Sequence, residues 1–284
     1  MERPIEWCRS RMLGRHSPLA ASLPFASESL RDAIVSLRAV ISEIAAVPDT
    51  VSDPEVGRKK LAWWSDALRN RAPHPAIEGL VASGAADRLF PGRFEPLIAS
   101  VAATLEPPRF ERRDDAWAHC MALGGPAASL EVELVDAADA SAGDWSALGG
   151  FAYLVRLLRD LGIDARANRW PVPLDLQAEY QVARQDIVGG SISRGFDGMV
   201  RAWLEDGRKR VDEALEGLPA EHRWRQRHLL ISHALDRRLA QAMARHPRRI
   251  LDRRVQTGHA GNVWHAWRQA RRLARAANTA FSPS

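Results

Sequence analysis

The sequence predicts an all-α fold, on three observations. Apolar residues recur at the 3.6-residue helical period along most of the chain. Period-2 alternation is almost absent and β-branched runs are short, so strand signals are missing. The breaks between periodic stretches are short and marked by Pro and Gly. With 284 residues, 46% of them hydrophobic, the chain can bury one large core or two small ones. A charged fraction of 26% is that of an ordinary globular protein.

The elements follow in order. Between Ser27 and Val47, Leu30, Ala33, Ile34, Leu37, Val40, Ile41 and Ile44 form the stripe of an amphipathic helix, with Ser27 as its expected N-cap. Pro48 lacks an N–H and clashes with the carbonyl of Ile44, at about 3 kcal/mol in a helix interior, so the helix is expected to end or kink there. A second helix spans Pro54 to Asn70, with proline in its first turn. Others cover Phe94 to Thr104, Asp114 to Met121 and Ala127 to Ala138, the last two separated by Gly124-Gly125-Pro126. A long helix from Ala147 to Asp164 is apolar at Leu148, Phe151, Ala152, Leu154, Val155, Leu158 and Leu161. Three more are expected at Phe196 to Leu215, Arg223 to Arg245 and Gly261 to Ala277. Neither internal repeats nor a low-complexity tract occur. The expected organisation is a helical domain over residues 1–260 and a basic amphipathic helix over 261–284.

Several function classes are excluded at this level. Two cysteines, Cys8 and Cys120, make neither a disulfide framework nor a metal spacing, and Cys120 reads as a small buried apolar residue. No apolar run reaches the roughly 18 residues of a membrane span, and Met1 to Leu13 has no leader-like apolar segment. A cytoplasmic protein is expected, peripheral to the inner membrane at most. The net charge is +5, and from Arg237 onward Asp252 is the single acid among eleven arginines. No nucleic-acid recognition motif accompanies that charge, so no nucleic-acid partner is expected. Trp264 and Trp267 with Arg268, Arg271, Arg272 and Arg275 form an aromatic and basic helix. It suits an anionic membrane surface, or two Trp packed on the body with Arg outward. His222, His228 and His233 are not spaced for one metal and read as surface or core histidines.

The segment richest in chemistry is Leu157 to Arg166. Asp160 and Asp164 are one helical turn apart, with Cβ atoms about 6 Å from each other. Two carboxylates so placed repel, unless Mg²⁺ carrying a diphosphate, or neighbouring arginines, compensate them. Arg159, Arg166 and Arg169 lie close enough to contact phosphate or to pair with the aspartates directly. Spacing alone leaves both readings open.

The stretch LLRDLGIDARANRWPVPLD resembles the second aspartate-rich motif of the squalene/phytoene synthase family, a pattern close to NILRDxGEDxxxGRxYLPxE. VSDPEVGRKKLAWWSDAL, HPAIEGL, FEPLIASVAATLEPPRFE and SHALDRRLAQAM resemble further family segments, in the family's order. This resemblance implies the isoprenoid synthase fold, a single bundle of antiparallel helices around a central cavity. It also implies a prenyl transferase that ionises an allylic diphosphate with Mg²⁺ held between two aspartate walls. Carried over position by position, it makes Asp160 and Asp164 the catalytic and metal-binding pair. Asp49 and Glu43 remain of the first wall, and Arg156, Arg159, Arg166 and Arg169 are expected to bind substrate.

The first motif departs from the family pattern. Where the family carries a string close to CREVDDVVDE, this chain has Ile41 to Thr50, and Ala45 and Ala46 replace the two leading aspartates. The acidic positions before the family's R-Y align with Ala102 to Thr104, and the Asn before I-L-R-D becomes Arg156. Metal stabilisation of a leaving group is worth several kcal/mol, and losing about 4–5 kcal/mol lowers a rate about 10³-fold. The mitochondrial complex I assembly-factor branch of the family has a similarly eroded first motif, in which VELAQVKDSVSE resembles ISEIAAVPDTVSD. The expected function is therefore an impaired or inactive prenyl transferase. It would bind an isoprenoid or lipid diphosphate, or act on a protein partner as an assembly factor. The alternative is an active Mg²⁺-dependent transferase.

Overall fold

The computed structural model describes residues 3–14, 17–89 and 92–281, and every regular element among them is helical. Two short helices, α1 (Pro4–Met12) and α2 (Pro18–Ser22), precede α3 (Arg31–Ala45). Ser27 is not its cap: a 3₁₀ turn over Glu28–Leu30 leads into α3, and the Ser27 hydroxyl accepts from Arg227 Nη2 at 2.8 Å instead. At Pro48 the expected break is present. Helix α3 stops at Ala45, and Pro48 sits in the first turn of a separate helix, α4 (Val47–Thr50), where its missing N–H costs nothing.

Then come α5 (Pro54–Asn70), α6 (Pro75–Ala82), α7 (Ala86–Leu89) and α8 (Glu95–Ala102). The Asp53 carboxylate accepts from the Glu55 amide at 2.8 Å, and His74 Nδ1 from the Ala76 amide at 3.2 Å, capping α5 and α6. The two helices expected around Gly124-Gly125-Pro126 are one continuous helix, α9 (Arg113–Asp136). The glycines serve a crossing rather than a turn. A Cβ on Gly124 would lie 1.9 Å from the carbonyl oxygen of Gly149 in α10 (Ser146–Arg166), so the two helices meet backbone to backbone.

The remainder is α11 (Leu174–Tyr180), α12 (Arg184–Val188), α13 (Phe196–Ala214), α14 (Ala220–Arg225), α15 (Arg227–Arg245), α16 (Arg249–Asp252) and α17 (His259–Phe281). The helix expected from Arg223 to Arg245 is broken at Gln226, whose side chain is buried and donates to Val132 O and Asp139. Helix α17 packs on α14 and α15, burying Ala266, Leu273 and Ala277. Residues 282–284 of the stretch read as a C-terminal helix lie outside the described residues.

Two apolar clusters form the interior. One gathers α10, α13 and α15 around Phe151, Trp203 and Phe196; the other gathers α1, α3, α5, α6 and α8 around Ile34, Leu61 and Leu80. Helix α9 feeds both, and Tyr153 touches both. The central cavity takes its walls from the two clusters together.

Candidate functional site

That cavity has a volume of about 700 Å³, within the range of small-molecule sites. Each wall follows from helical periodicity. Helix α10 buries Phe151, Leu154, Leu158, Leu161 and Ala165 in the core, so the stripe Ala152, Tyr153, Arg156, Asp160 and Asp164 must face the cavity. From α3 and α4 come Arg38, Ile41, Ala45, Pro48 and Asp49. Ala46, paired with a carboxylate by the sequence resemblance, is absent from the lining because it sits about 100° round the helix from Ala45. Ile41, Ala45 and Pro48 face the cavity on this wall without a ligand atom, and Asp49 with one. Leu97, Val101, Leu123, Leu148 and Leu229 complete an apolar interior.

The predicted site residues separate into two groups. Asp49, Arg156, Asp160, Asp164 and Arg169 line the cavity together. Glu43 does not: it faces α1, where Arg11 Nη2 holds it at 2.9 Å. Arg166 turns away as well and donates to Leu251 O at 2.8 Å. Arg159 stands beside the mouth and acts through Asp160, donating from Nε and Nη2, each at 3.0 Å.

Both α10 carboxylates are occupied by guanidinium groups. Asp160 also accepts from Arg254 Nε at 2.9 Å, and Asp164 accepts from Arg169 at 2.9 and 2.6 Å. Burial pushes the Asp164 carboxyl upward. Arg169 opposes that shift, the carboxylates of Asp160 and Asp49 add to it, and the net direction is up. Arg156 carries no ion pair among the described residues; its guanidinium lies 5.8 Å from the Tyr153 ring centre. Four guanidiniums, of Arg156, Arg159, Arg169 and Arg254, therefore meet three carboxylates, of Asp49, Asp160 and Asp164, at this mouth.

A Mg²⁺ site of the two-walled kind needs free carboxylate oxygens on both sides. Here Asp49 is the one carboxylate on the first wall, beside Ile41 and Ala45, and both carboxylates of the other wall are paired with arginine. Among the described residues no three His, Cys, Asp or Glu side chains converge to hold a metal. The donor set does not fit such a metal.

Three features of the site escaped sequence reasoning. Arg254 comes from the loop after α16 and was visible only as part of a basic run. Helix α15 presents Ser232, His233 and Asp236 to the cavity. The available signal was two polar residues on an otherwise apolar stripe, Leu229, His233, Asp236 and Ala240. Arg38 lines the cavity while bonded to the fully buried Glu131. Glu131 also accepts from His228 Nδ1 at 2.6 Å, and His228 Nε2 meets Ser22 Oγ at 3.1 Å. No Ser–His–acid set was legible in the sequence, and the fold assembles one here. All three members are buried, none lines the cavity, and the carboxylate is shared with Arg38, so the set ties α2, α3, α9 and α15 together.

Comparison with known proteins fits this architecture. A family model described as squalene/phytoene synthase matches residues 14–260. Phytoene synthase 1, chloroplastic, of Arabidopsis thaliana is 27% identical over 141 residues, 46% of this chain and 33% of that protein. The phytoene synthase of Arthrospira platensis is 26% identical over 148 residues, 46% of this chain and 48% of that one. The match thus spans less than half the length of these curated relatives. Among solved structures, squalene synthase HpnC from Alicyclobacillus acidocaldarius superposes with a TM-score of 0.66 at 17% identity, covering 85% of this chain and 93% of that one. A dehydrosqualene synthase in complex with ligand gives 0.64 at 11% identity, covering 97% of both chains. With the family model matching most of its length and the fold shared end to end, this chain belongs to the squalene/phytoene synthase family.

Proposed function

We propose that the chain binds a prenyl diphosphate in the central cavity without Mg²⁺, and does not turn it over at the rate of a prenyl transferase. The observation that carries this reading is the charge at the cavity mouth. With acidic residues at Ile41 and Ala45, carboxylates would outnumber guanidiniums and a diphosphate would need metal to enter. As the sequence stands, guanidiniums are in excess by one, and Arg156 is free to meet an oxyanion. Arginines bind a diphosphate, but they supply less than the several kcal/mol that a metal gives to its departure. The apolar walls suit an isoprenoid tail. Calorimetric titration with farnesyl diphosphate tests binding: equal affinity in Mg²⁺ and in EDTA is expected, with a loss of tenfold or more in Arg156→Gln. Affinity that disappears in EDTA sinks the metal-free reading. Steady formation of squalene or phytoene from farnesyl or geranylgeranyl diphosphate with Mg²⁺ and NADPH sinks the impaired-enzyme reading.

A second reading concerns location and rests on α17. Trp264 and Trp267 stack at 4.9 Å and are 54% and 37% exposed, beside exposed Val263, with Arg271 4.9 Å over the Trp267 ring. Partly exposed aromatic rings beside arginine are the composition of a helix that lies on an anionic lipid surface. No helix of the described residues is long and apolar enough to cross a membrane. Sedimentation with vesicles containing an anionic lipid is expected to carry the protein down, and Trp264→Ala/Trp267→Ala to abolish this. Equal binding of both forms dismisses it.

A further inference from the structure

The α15 wall of the cavity carries polarity that a hydrocarbon tail does not use. His233 is 6% exposed, and neither of its ring nitrogens has a hydrogen-bond partner. Burial pushes its pKa down to about 3, with Arg237 adding to the effect, so the ring is uncharged and offers one donor and one acceptor. One turn along α15, the half-buried Asp236 faces the same cavity and makes no hydrogen bond or ion pair among the described residues. Burial raises its carboxyl to about 7 against the opposing charges of Arg38, Arg156 and Arg159, so near neutral pH it also has a proton to donate. A buried polar ring without partners is rare in native folds, and His233 beside the half-buried, unpaired Asp236 on one cavity wall points to a group that arrives with the ligand. The surrounding walls, Leu123, Leu148, Leu157 and Leu229, are apolar. His233 also lines a second cleft between α13, α15 and α17, whereas Asp236 lines the central cavity and not that cleft.

We infer that His233 and Asp236 form an internal hydrogen-bonding anchor for an uncharged oxygen, a hydroxyl or carbonyl, on an isoprenoid chain held in the cavity. A plain hydrocarbon there strips water from both groups and returns no hydrogen bond. An alcohol or ketone restores one or two, so the site selects oxygenated isoprenoids. This inference rests on the cavity holding an isoprenoid chain, not on its mouth holding a diphosphate.

The test is displacement of a fluorescent apolar probe from the full chain by geranylgeraniol and by a hydrocarbon of matched length, with farnesyl diphosphate in EDTA run alongside. The expected result is a tenfold or greater preference for the alcohol. That preference collapses towards one in Asp236→Leu and His233→Leu, and is kept in Asp236→Asn, which retains a donor and an acceptor. Circular dichroism of each variant identifies any that fails to fold, and Asp236→Asn, nearly isosteric, keeps the comparison open. Equal displacement by alcohol and hydrocarbon while the diphosphate still binds overturns this inference alone. No displacement by any of the three overturns the cavity reading with it. A preference that survives both leucine variants overturns the assignment to these residues.

Discussion

Glu131 shows how much a single buried charge decides. It is wholly inside the protein, where burial alone would raise its pKa; Arg38 and His228 outweigh that and hold it down to about 2. A carboxylate whose folded pKa lies below its ordinary value contributes stability that is present above about pH 4.5 and is lost as the pH falls towards 2. The amount at stake is on the order of 3 kcal/mol. Glu131→Gln keeps the shape but leaves Arg38 and His228 without their anion. A loss of about 3–5 kcal/mol at pH 7 is expected in urea unfolding, with a much flatter pH dependence below pH 4.5 than in the parent protein. Similar stability of the two forms at pH 7 would show that the network carries no weight. The consequence reaches the site, because Arg38 is a cavity wall as well as the partner of Glu131.

Among the elements, the crossing of α9 and α10 sets the width of the cavity. Leu123, Gly124 and Ala127 from α9 and Leu148, Gly149 and Ala152 from α10 all line it, so any separation of these helices widens it. Gly124→Ala puts a methyl group 1.9 Å from the Gly149 carbonyl oxygen, and neither backbone can yield without parting the helices. The expected cost is about 3 kcal/mol or more, a drop of roughly 6 °C or more in Tm. Gly258→Ala, where an added Cβ meets nothing within 4 Å, should change Tm little. Equal Tm values for the two variants would refute the close crossing. The same crossing explains why Gly124-Gly125-Pro126 reads as a loop in sequence and is helix in structure. Local propensity favours a break, but packing against α10 rewards two residues without side chains and holds the helix through Pro126.

For the whole molecule, the question is how two helices on opposite sides of the cavity share one ligand. Restoring the missing wall tests this directly. Ile41→Asp/Ala45→Asp places two carboxylates on the cavity face of α3, opposite Asp160 and Asp164. Farnesyl diphosphate should then bind tightly only with Mg²⁺, and at least tenfold more weakly in EDTA, because carboxylates now exceed guanidiniums at the mouth. A double variant that binds equally in Mg²⁺ and EDTA would show that α3 does not form the facing wall. The arginine pairs on Asp160 and Asp164 matter here too, since a metal must compete with Arg159, Arg254 and Arg169 for those oxygens.

By itself the sequence determined the helical class, the break at Pro48 and the placing of Asp160 and Asp164 on one face of α10. Each depends on local periodicity or on the geometry of one residue. Sequence resemblance supplied the family and the eroded first wall, of which the structure puts Ala45 and Asp49, but not Ala46, in the cavity lining. Tertiary structure alone decided that Glu43 and Arg166 leave the site, that Arg254 enters it, and that His233 and Asp236 stand in the cavity without partners. The physical reason is range. A helical period says which residues share a face, but what that face meets is set by packing between helices far apart in sequence. Glu131 and His228, 97 residues apart, are bonded at 2.6 Å only because α9 and α15 meet in the core.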